Sequence, residues 1–132
     1  MSANAETLEI LKRNFREKLA SETIEVKLID IYLDWHDPDE TWLFKPMSAT
    51  TKQNVIRLYM EHKIVEAQIE GIISRAINED GSRKFAPANA RQFMSFDPEF
   101  IDAIATRIHA QIDDVVLSPI DEKRADPLGN SN

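Results

Sequence analysis

The chain has 132 residues, of which 42% are hydrophobic and 30% are charged, and its net charge is −7. These values are typical of one globular domain and exclude an extended disordered chain. The acidic balance disfavours a general nucleic-acid binder, and the lack of cysteine excludes disulfide scaffolds, thiolate zinc sites and cysteine nucleophiles. We expect a cytoplasmic protein, because the sequence shows neither a signal-peptide pattern nor an apolar run of about 18 residues.

A first helix is predicted over residues 5–20. Apolar residues recur there at intervals of three and four, which places one set on a single helix face: Leu8, Leu11, Phe15 and Leu19. The other faces mix basic and acidic side chains, and Glu9 and Arg13 have the i,i+4 spacing of a helix-stabilising pair. This mixture is typical of a solvated helix face and not of a nucleic-acid surface.

A β-hairpin is predicted over residues 23–46. Ile24, Val26 and Leu28 alternate with charged residues, which is the pattern of a half-buried strand. The alternation slips by one position after Leu28, and this slip predicts a β-bulge near Leu28–Ile29. A second strand is expected from Thr41 to Lys45.

One long helix is predicted over residues 49–78, with Ser48 as its cap and the Asn78–Gly81 turn as its end. A straight helix of that length spans roughly 43 Å, which exceeds the roughly 35 Å diameter of a compact domain of this size. The helix should therefore offer part of its wide apolar arc to another protein. His62 lies on the apolar side of this helix and is assigned to the core. Gly71 is the expected place for a bend, and a chain that folded back there would turn the arc into core.

Two more helices are predicted over residues 88–95 and 98–113. Asp97 fits the N-cap of the second helix and Pro98 its first position. Periodicity is gone from Ser118 onward, and residues 114–132 are predicted to be a flexible tail after a single domain at 1–113. The expected fold class is α+β and mostly helical, with a small antiparallel β-hairpin or meander on three to four helices, including the long one.

Residues that suggest chemistry are few. His36 lies beside Asp37 and Asp39, but adjacent loop residues form a poor metal cage. Glu66 and Glu70 share a helix face without the Glu-x-x-His partners of a di-metal site. Three glycines cannot assemble a phosphate-binding loop. We therefore expect no enzyme activity, no catalytic residues, no metal and no cofactor.

Protein binding is the expected role of the exposed apolar residues. The candidate partner-binding residues lie on the hairpin and the long helix: Trp35, Trp42, Phe44, Ile64, Ile69 and Ile73. Tryptophan is common at binding hot spots, and an apolar helix face can bind a partner helix in a groove. On this hypothesis Ile69→Glu or Ile73→Glu weakens partner binding more than stability. The wide arc also allows self-association into a homo-oligomer.

The order of these elements resembles the tail assembly chaperones of long-tailed bacteriophages. The resemblance runs from about Leu11 to Ile112 and is carried by four passages: Leu11–Arg16, Phe44–Ser48, Ile72–Phe85 and Asp97–Ile101. Its motifs are patterns of apolar spacing and turns, without an invariant signature. The family has no catalytic residues to carry over.

This resemblance implies a chaperone that binds the tape measure protein, keeps it soluble and helps to recruit the major tail protein during assembly in the host cytoplasm. Many members of the family also exist as a frameshifted, extended product whose added part contacts the tail-tube subunit. The alternative is a structural or adaptor protein of the virion that oligomerises through the long helix.

Overall fold

A computed structural model describes residues 2–116 and shows a mostly helical α+β fold with a three-stranded antiparallel sheet. The predicted fold class is therefore confirmed. The elements in chain order are α1 (Ser2–Ser21), β1 (Ile24–Lys27), β2 (Thr41–Phe44), α2 (Ala49–Met60), α3 (Ile64–Arg75), β3 (Ala76–Ile77), α4 (Ala90–Phe93), α5 (Pro98–Arg107) and α6 (Ile112–Val116). No helix within 2–116 has the length and apolar character needed to cross a membrane.

The sheet has the order β1-β2-β3, with both pairs antiparallel. Val26 lies opposite Trp42, and Phe44 lies between Ile24 and Ala76. Because side chains alternate along a strand, these residues share the face that packs on the helices. The β1–β2 hairpin is confirmed, and β3 adds an edge strand from the end of α3.

The predicted β-bulge at Leu28–Ile29 is wrong. β1 ends at Lys27, and Leu28–Asp30 forms a 3₁₀ turn. A hydrogen bond from the backbone N–H of Leu28 to the carbonyl of Glu40, 3.1 Å long, closes the base of the segment between the strands. We call residues 28–40 the 28–40 loop. The slip in alternation marked the end of the strand, not a bulge within it.

The single long helix is also wrong, because the chain turns between α2 and α3. His62 adopts a left-handed backbone conformation with φ of 62°. Its N–H donates to the carbonyl of Tyr59, and the N–H of Lys63 donates to the carbonyl of Leu58. This pair of bonds is the Schellman motif that ends helices. His62 is exposed and not in the core, while α3 continues through Gly71 to Arg75 without a bend at the expected position.

Helix α5 also ends in a Schellman motif, as α2 does. The Asp97 cap is confirmed, since its Oδ1 accepts from the N–H of Glu99 at 3.0 Å. The predicted 98–113 helix is divided by His109, which has φ of 58° and lies in a second Schellman motif.

The predicted 88–95 helix is a 3₁₀ turn followed by the short α4. Val115 on α6 is buried, so the predicted tail is wrong at 114–116, and its remainder lies outside the described residues.

Within the part of the chain that the structure describes, two clusters form the core. The larger one joins the inner face of the sheet to α3, α4 and α5, and the smaller one joins α2, α3 and α6 through Val55, Tyr59, Ala67 and Val115. Arg75 on α3 is also buried. Its Nε donates to the carbonyl of Lys45 at 2.8 Å and its Nη1 to that of Ile108 at 2.7 Å. Burial lowers the pKa of Arg75 to about 10, so the side chain is still a cation at neutral pH.

Candidate partner-binding surfaces

The six predicted binding residues have different positions. Phe44, Ile69 and Ile73 are buried in the larger core cluster. They cannot contact a partner without unfolding, so the predicted binding groove along residues 49–78 is wrong. The overhang on which it depended does not exist, because α2 and α3 pack on each other as two short helices. The predicted effect of Ile69→Glu and Ile73→Glu is reversed, since both side chains are needed for stability.

Ile64 is exposed at the start of α3. Its side chain is 56% exposed, and that of Met60, one turn before it at the end of α2, is 68% exposed. These two residues flank the turn between the helices. Two isolated apolar side chains are common on protein surfaces and do not by themselves define a site.

Trp35 and Trp42 lie together in a cleft. This aromatic cleft has a volume of about 450 Å³ and is lined by Tyr32, Trp35, His36, Glu40, Trp42, Phe96, Asp97 and Phe100. The lining comes from the 28–40 loop, from β2 and from the start of α5. Such a volume is within the range of small-molecule and side-chain binding pockets.

The two indoles are held by one carboxylate. Trp35 Nε1 donates to Glu40 Oε1 at 3.2 Å, and Trp42 Nε1 donates to Glu40 Oε2 at 3.0 Å. Glu40 immediately precedes β2, so the strand fixes its position relative to Trp42. Both indole N–H groups are therefore satisfied. Trp35 is partly exposed, whereas Trp42 is 8% exposed and belongs to the larger core cluster, with the rings of Phe85 and Phe100 edge-on against it.

Tyr32 connects the loop to α5. Its ring stacks on those of Trp35 and Phe100, with centroid distances of 6.1 and 5.7 Å. Its hydroxyl donates to Asp97 Oδ2 at 3.3 Å. Burial raises the pKa of Tyr32, and the charge and hydrogen bond of Asp97 raise it further. The hydroxyl is therefore a stable donor that orients this carboxylate.

A second surface, which the sequence analysis did not assign to binding, lies on α1. Every side chain from Asn4 to Lys18 is exposed. Leu8, Leu11 and Phe15 are 58%, 57% and 40% exposed, and the i,i+3 and i,i+4 spacing aligns them on one face. We call these three residues the α1 stripe. The stripe itself was visible in the sequence, but an apolar face alone does not show whether it packs inside or outside its own domain.

The described residues contain no group of three or more histidine and carboxylate side chains arranged to hold a metal ion. In the 28–40 loop, Asp37 Oδ1 accepts from the N–H of Asp39 at 3.0 Å. His36 is exposed and its ring packs beside that of Trp35 at 4.8 Å. The polar groups that sequence analysis weighed as metal ligands thus have a local structural role in the turn.

No protein-family model, curated protein or solved structure matches this chain. What bears on function is therefore the chemistry of the two surfaces, together with the resemblance in sequence pattern.

Proposed function

We propose that this protein is a non-catalytic tail assembly chaperone that captures the tape measure protein through α1. The observation that carries the proposal is the α1 stripe, a continuous apolar face on a 20-residue helix that buries none of its side chains between residues 4 and 18. The resemblance to tail assembly chaperones supplies the identity of the bound protein, which we call the client. Recruitment of the major tail protein and action in the host cytoplasm belong to the same proposal and rest on the resemblance alone.

The chemistry of the stripe suits a helical client. Covering a leucine or phenylalanine side chain fully contributes about 1.5–3 kcal/mol, so three such residues provide a useful binding energy. The helix is about 30 Å long, and an apolar stripe on one helix packs on a stripe of another. A tape measure protein is a long helical chain. Its exposed apolar stripes must be shielded from water and from other chains until the tail is assembled.

The rest of the domain suits the same role through its charge. Residues 22–116 carry 17 acidic and 10 basic side chains, whereas α1 carries three acidic and four basic ones. Complexes that display the acidic surface outward repel one another. The client is then bound by a nearly neutral helix and kept soluble by an acidic body.

Co-expression with the tape measure protein tests the proposal. The double variant Leu11→Glu/Phe15→Glu places two charges in the stripe, and Ile10→Glu is its matched control, an exposed apolar residue of the same helix outside the stripe. All these side chains are exposed, so circular dichroism should show an unchanged fold. We expect the double variant to lose at least about tenfold in co-purified, soluble client, and the control to retain it. Full retention by the double variant would overturn the proposal.

The charges along α1 favour a second candidate, a virion protein that self-associates. Glu6 and Glu9 lie in the first half of the helix, and Arg13 and Arg16 in the second. An antiparallel pair of α1 helices would place opposite charges alongside each other. This candidate predicts that the wild type is a dimer, that Leu11→Glu/Phe15→Glu is a monomer by light scattering, and that the protein remains in purified virions. A chaperone is absent from virions.

A further inference from the structure

The aromatic cleft contains negative charge that the chain does not neutralise. Among the described residues, the ion pairs of the chain involve neither Glu40 nor Asp97. The 28–40 loop adds exposed acidic residues and contains no lysine or arginine: Asp30, Asp34, Asp37 and Asp39. Its basic neighbour Arg107 binds the backbone carbonyl of Asp30 at 3.3 Å, not a carboxylate of the cleft. The partners of Glu40 and Asp97 are neutral indole, hydroxyl and backbone N–H donors. A cation entering the cleft would therefore meet two carboxylates whose charge is not balanced by a lysine or arginine of the described chain.

The walls of the cleft also suit a cation. Aromatic ring faces carry partial negative charge and attract ammonium and guanidinium groups within about 6 Å. Trp42 already makes one such contact, since Lys84 Nζ lies 5.7 Å from its ring centroid, although Lys84 does not line the cleft. The lining of the cleft thus combines aromatic rings with two carboxylates, Glu40 and Asp97.

We propose that the aromatic cleft binds an arginine side chain of a partner polypeptide, with the guanidinium stacked on the aromatic wall and paired with Asp97, next to the charge of Glu40. A planar guanidinium can stack and pair with a carboxylate at once, while an ammonium group is a compact, strongly hydrated point charge. The inference goes beyond the proposed function, because the cleft and the α1 stripe share no residues and this site does not depend on a role in tail assembly.

The chain provides its own reporter for this site. Trp35 and Trp42 are its two tryptophans, and both indole N–H groups donate to Glu40 in the cleft. A ¹H–¹⁵N spectrum therefore contains two indole signals, both from the site. The probe is the peptide acetyl-Gly-Arg-Gly-amide. Two control peptides replace arginine by citrulline, which has the same shape without charge, or by lysine.

We expect the arginine peptide to shift both indole signals in a saturable way, and the citrulline peptide to bind at least about tenfold more weakly. A citrulline peptide that binds equally well would show an apolar site and overturn the proposal. A lysine peptide that binds as tightly would overturn the assignment to guanidinium.

Two variants that each remove one negative charge distinguish binding in the cleft from general electrostatic attraction of the peptide to an acidic protein. Asp97→Asn removes a cleft charge and keeps a side chain that can cap α5. Glu79→Gln removes an exposed charge outside the cleft. We expect Asp97→Asn to weaken binding of the arginine peptide about tenfold, which corresponds to about 1.4 kcal/mol, and Glu79→Gln to change it less than twofold. Equal effects of the two variants would overturn the proposal.

Discussion

Gly71 on α3 lies directly against Ala110 in the connection between α5 and α6. A Cβ atom placed on Gly71 would lie 3.0 Å from Cβ of Ala110, which is too close for ordinary packing. Ala110 cannot easily move, because its N–H donates to the carbonyl of Ala105 at 2.8 Å and its carbonyl accepts from the hydroxyl of Tyr59 at 2.8 Å. Glycine at position 71 therefore allows close packing of α3 and does not bend it.

We expect Gly71→Ala to destabilise the protein by about 1 kcal/mol. Alanine favours a helix over glycine by about 1 kcal/mol, but overpacking a rigid contact costs about 1–3 kcal/mol. Chemical denaturation measures the net effect. The second variant Ala110→Gly removes the opposing methyl group. The double variant Gly71→Ala/Ala110→Gly should therefore lose less unfolding free energy than the two single variants lose together, by at least about 1 kcal/mol. Additive effects would show that the two positions do not interact.

We expect His62→Gly to stabilise the protein by about 1 kcal/mol. His62 has the left-handed conformation that glycine adopts readily and that other residues adopt at a cost of about 1–2 kcal/mol. His62→Ala is the matched control, because it removes the same imidazole but keeps the strained backbone. The free energy of unfolding from denaturant titration should rise for the glycine variant only. A rise of the same size for the alanine variant would place the effect in the side chain.

Tyr59 should make stability fall at high pH. Burial raises the pKa of Tyr59 to about 12, and the charges of Asp102 and Asp114 add to the rise. The folded state thus holds this proton more tightly than the unfolded state, whose tyrosine pKa is about 10. The stabilisation is complete below pH 10 and is lost as the pH rises from 10 to 12.

Tyr59→Phe tests this pH dependence. Allowing for solvent screening, we expect the wild type to lose about 1–2 kcal/mol more than the variant between pH 10 and 12. The variant should also be less stable below pH 10, because the carbonyl of Ala110 loses its buried donor. Parallel curves for the two proteins across this window would contradict the assignment.

Ile73→Glu should strongly destabilise the protein, and Ile64→Glu should leave its stability almost unchanged. Ile73 is 3% exposed, and a carboxylate there would be buried without a partner, so we expect a loss of at least about 4 kcal/mol or a protein that does not fold. Ile64 is exposed, and its replacement should change stability by less than about 0.5 kcal/mol. Thermal unfolding followed by circular dichroism compares the two. A stable Ile73→Glu variant would restore the hypothesis that this helix face binds a partner.

Local signals made part of the fold predictable from sequence. The caps at Ser48 and Asp97 and the Asn78–Gly81 turn each depend on a few adjacent residues, and each is present in the structure. The turn at His62 was missed for a physical reason. A helix that ends in a Schellman motif usually has glycine at the left-handed position, and here histidine takes that place while the apolar spacing continues on both sides.

The candidate site was predictable only in part. Trp35 and Trp42 were recognised because tryptophan is prominent in binding surfaces and both lie near the predicted hairpin. Their cleft also requires Tyr32 and Asp97, which are 65 residues apart in sequence and meet only in the folded chain. Burial of Phe44, Ile69 and Ile73 likewise depends on which faces the helices cover, and no local pattern specifies this.

The exposed α1 also has a consequence for protein dosage. Because its apolar stripe contributes nothing to the described core, each copy without a partner displays the stripe to every other molecule in the cell. If the stripe binds a partner as proposed, solubility should therefore depend on the ratio of this protein to that partner more than on the stability of its fold. We expect synthesis matched to the partner to be well tolerated, and a large excess to shorten the lifetime of the free protein through association and proteolysis.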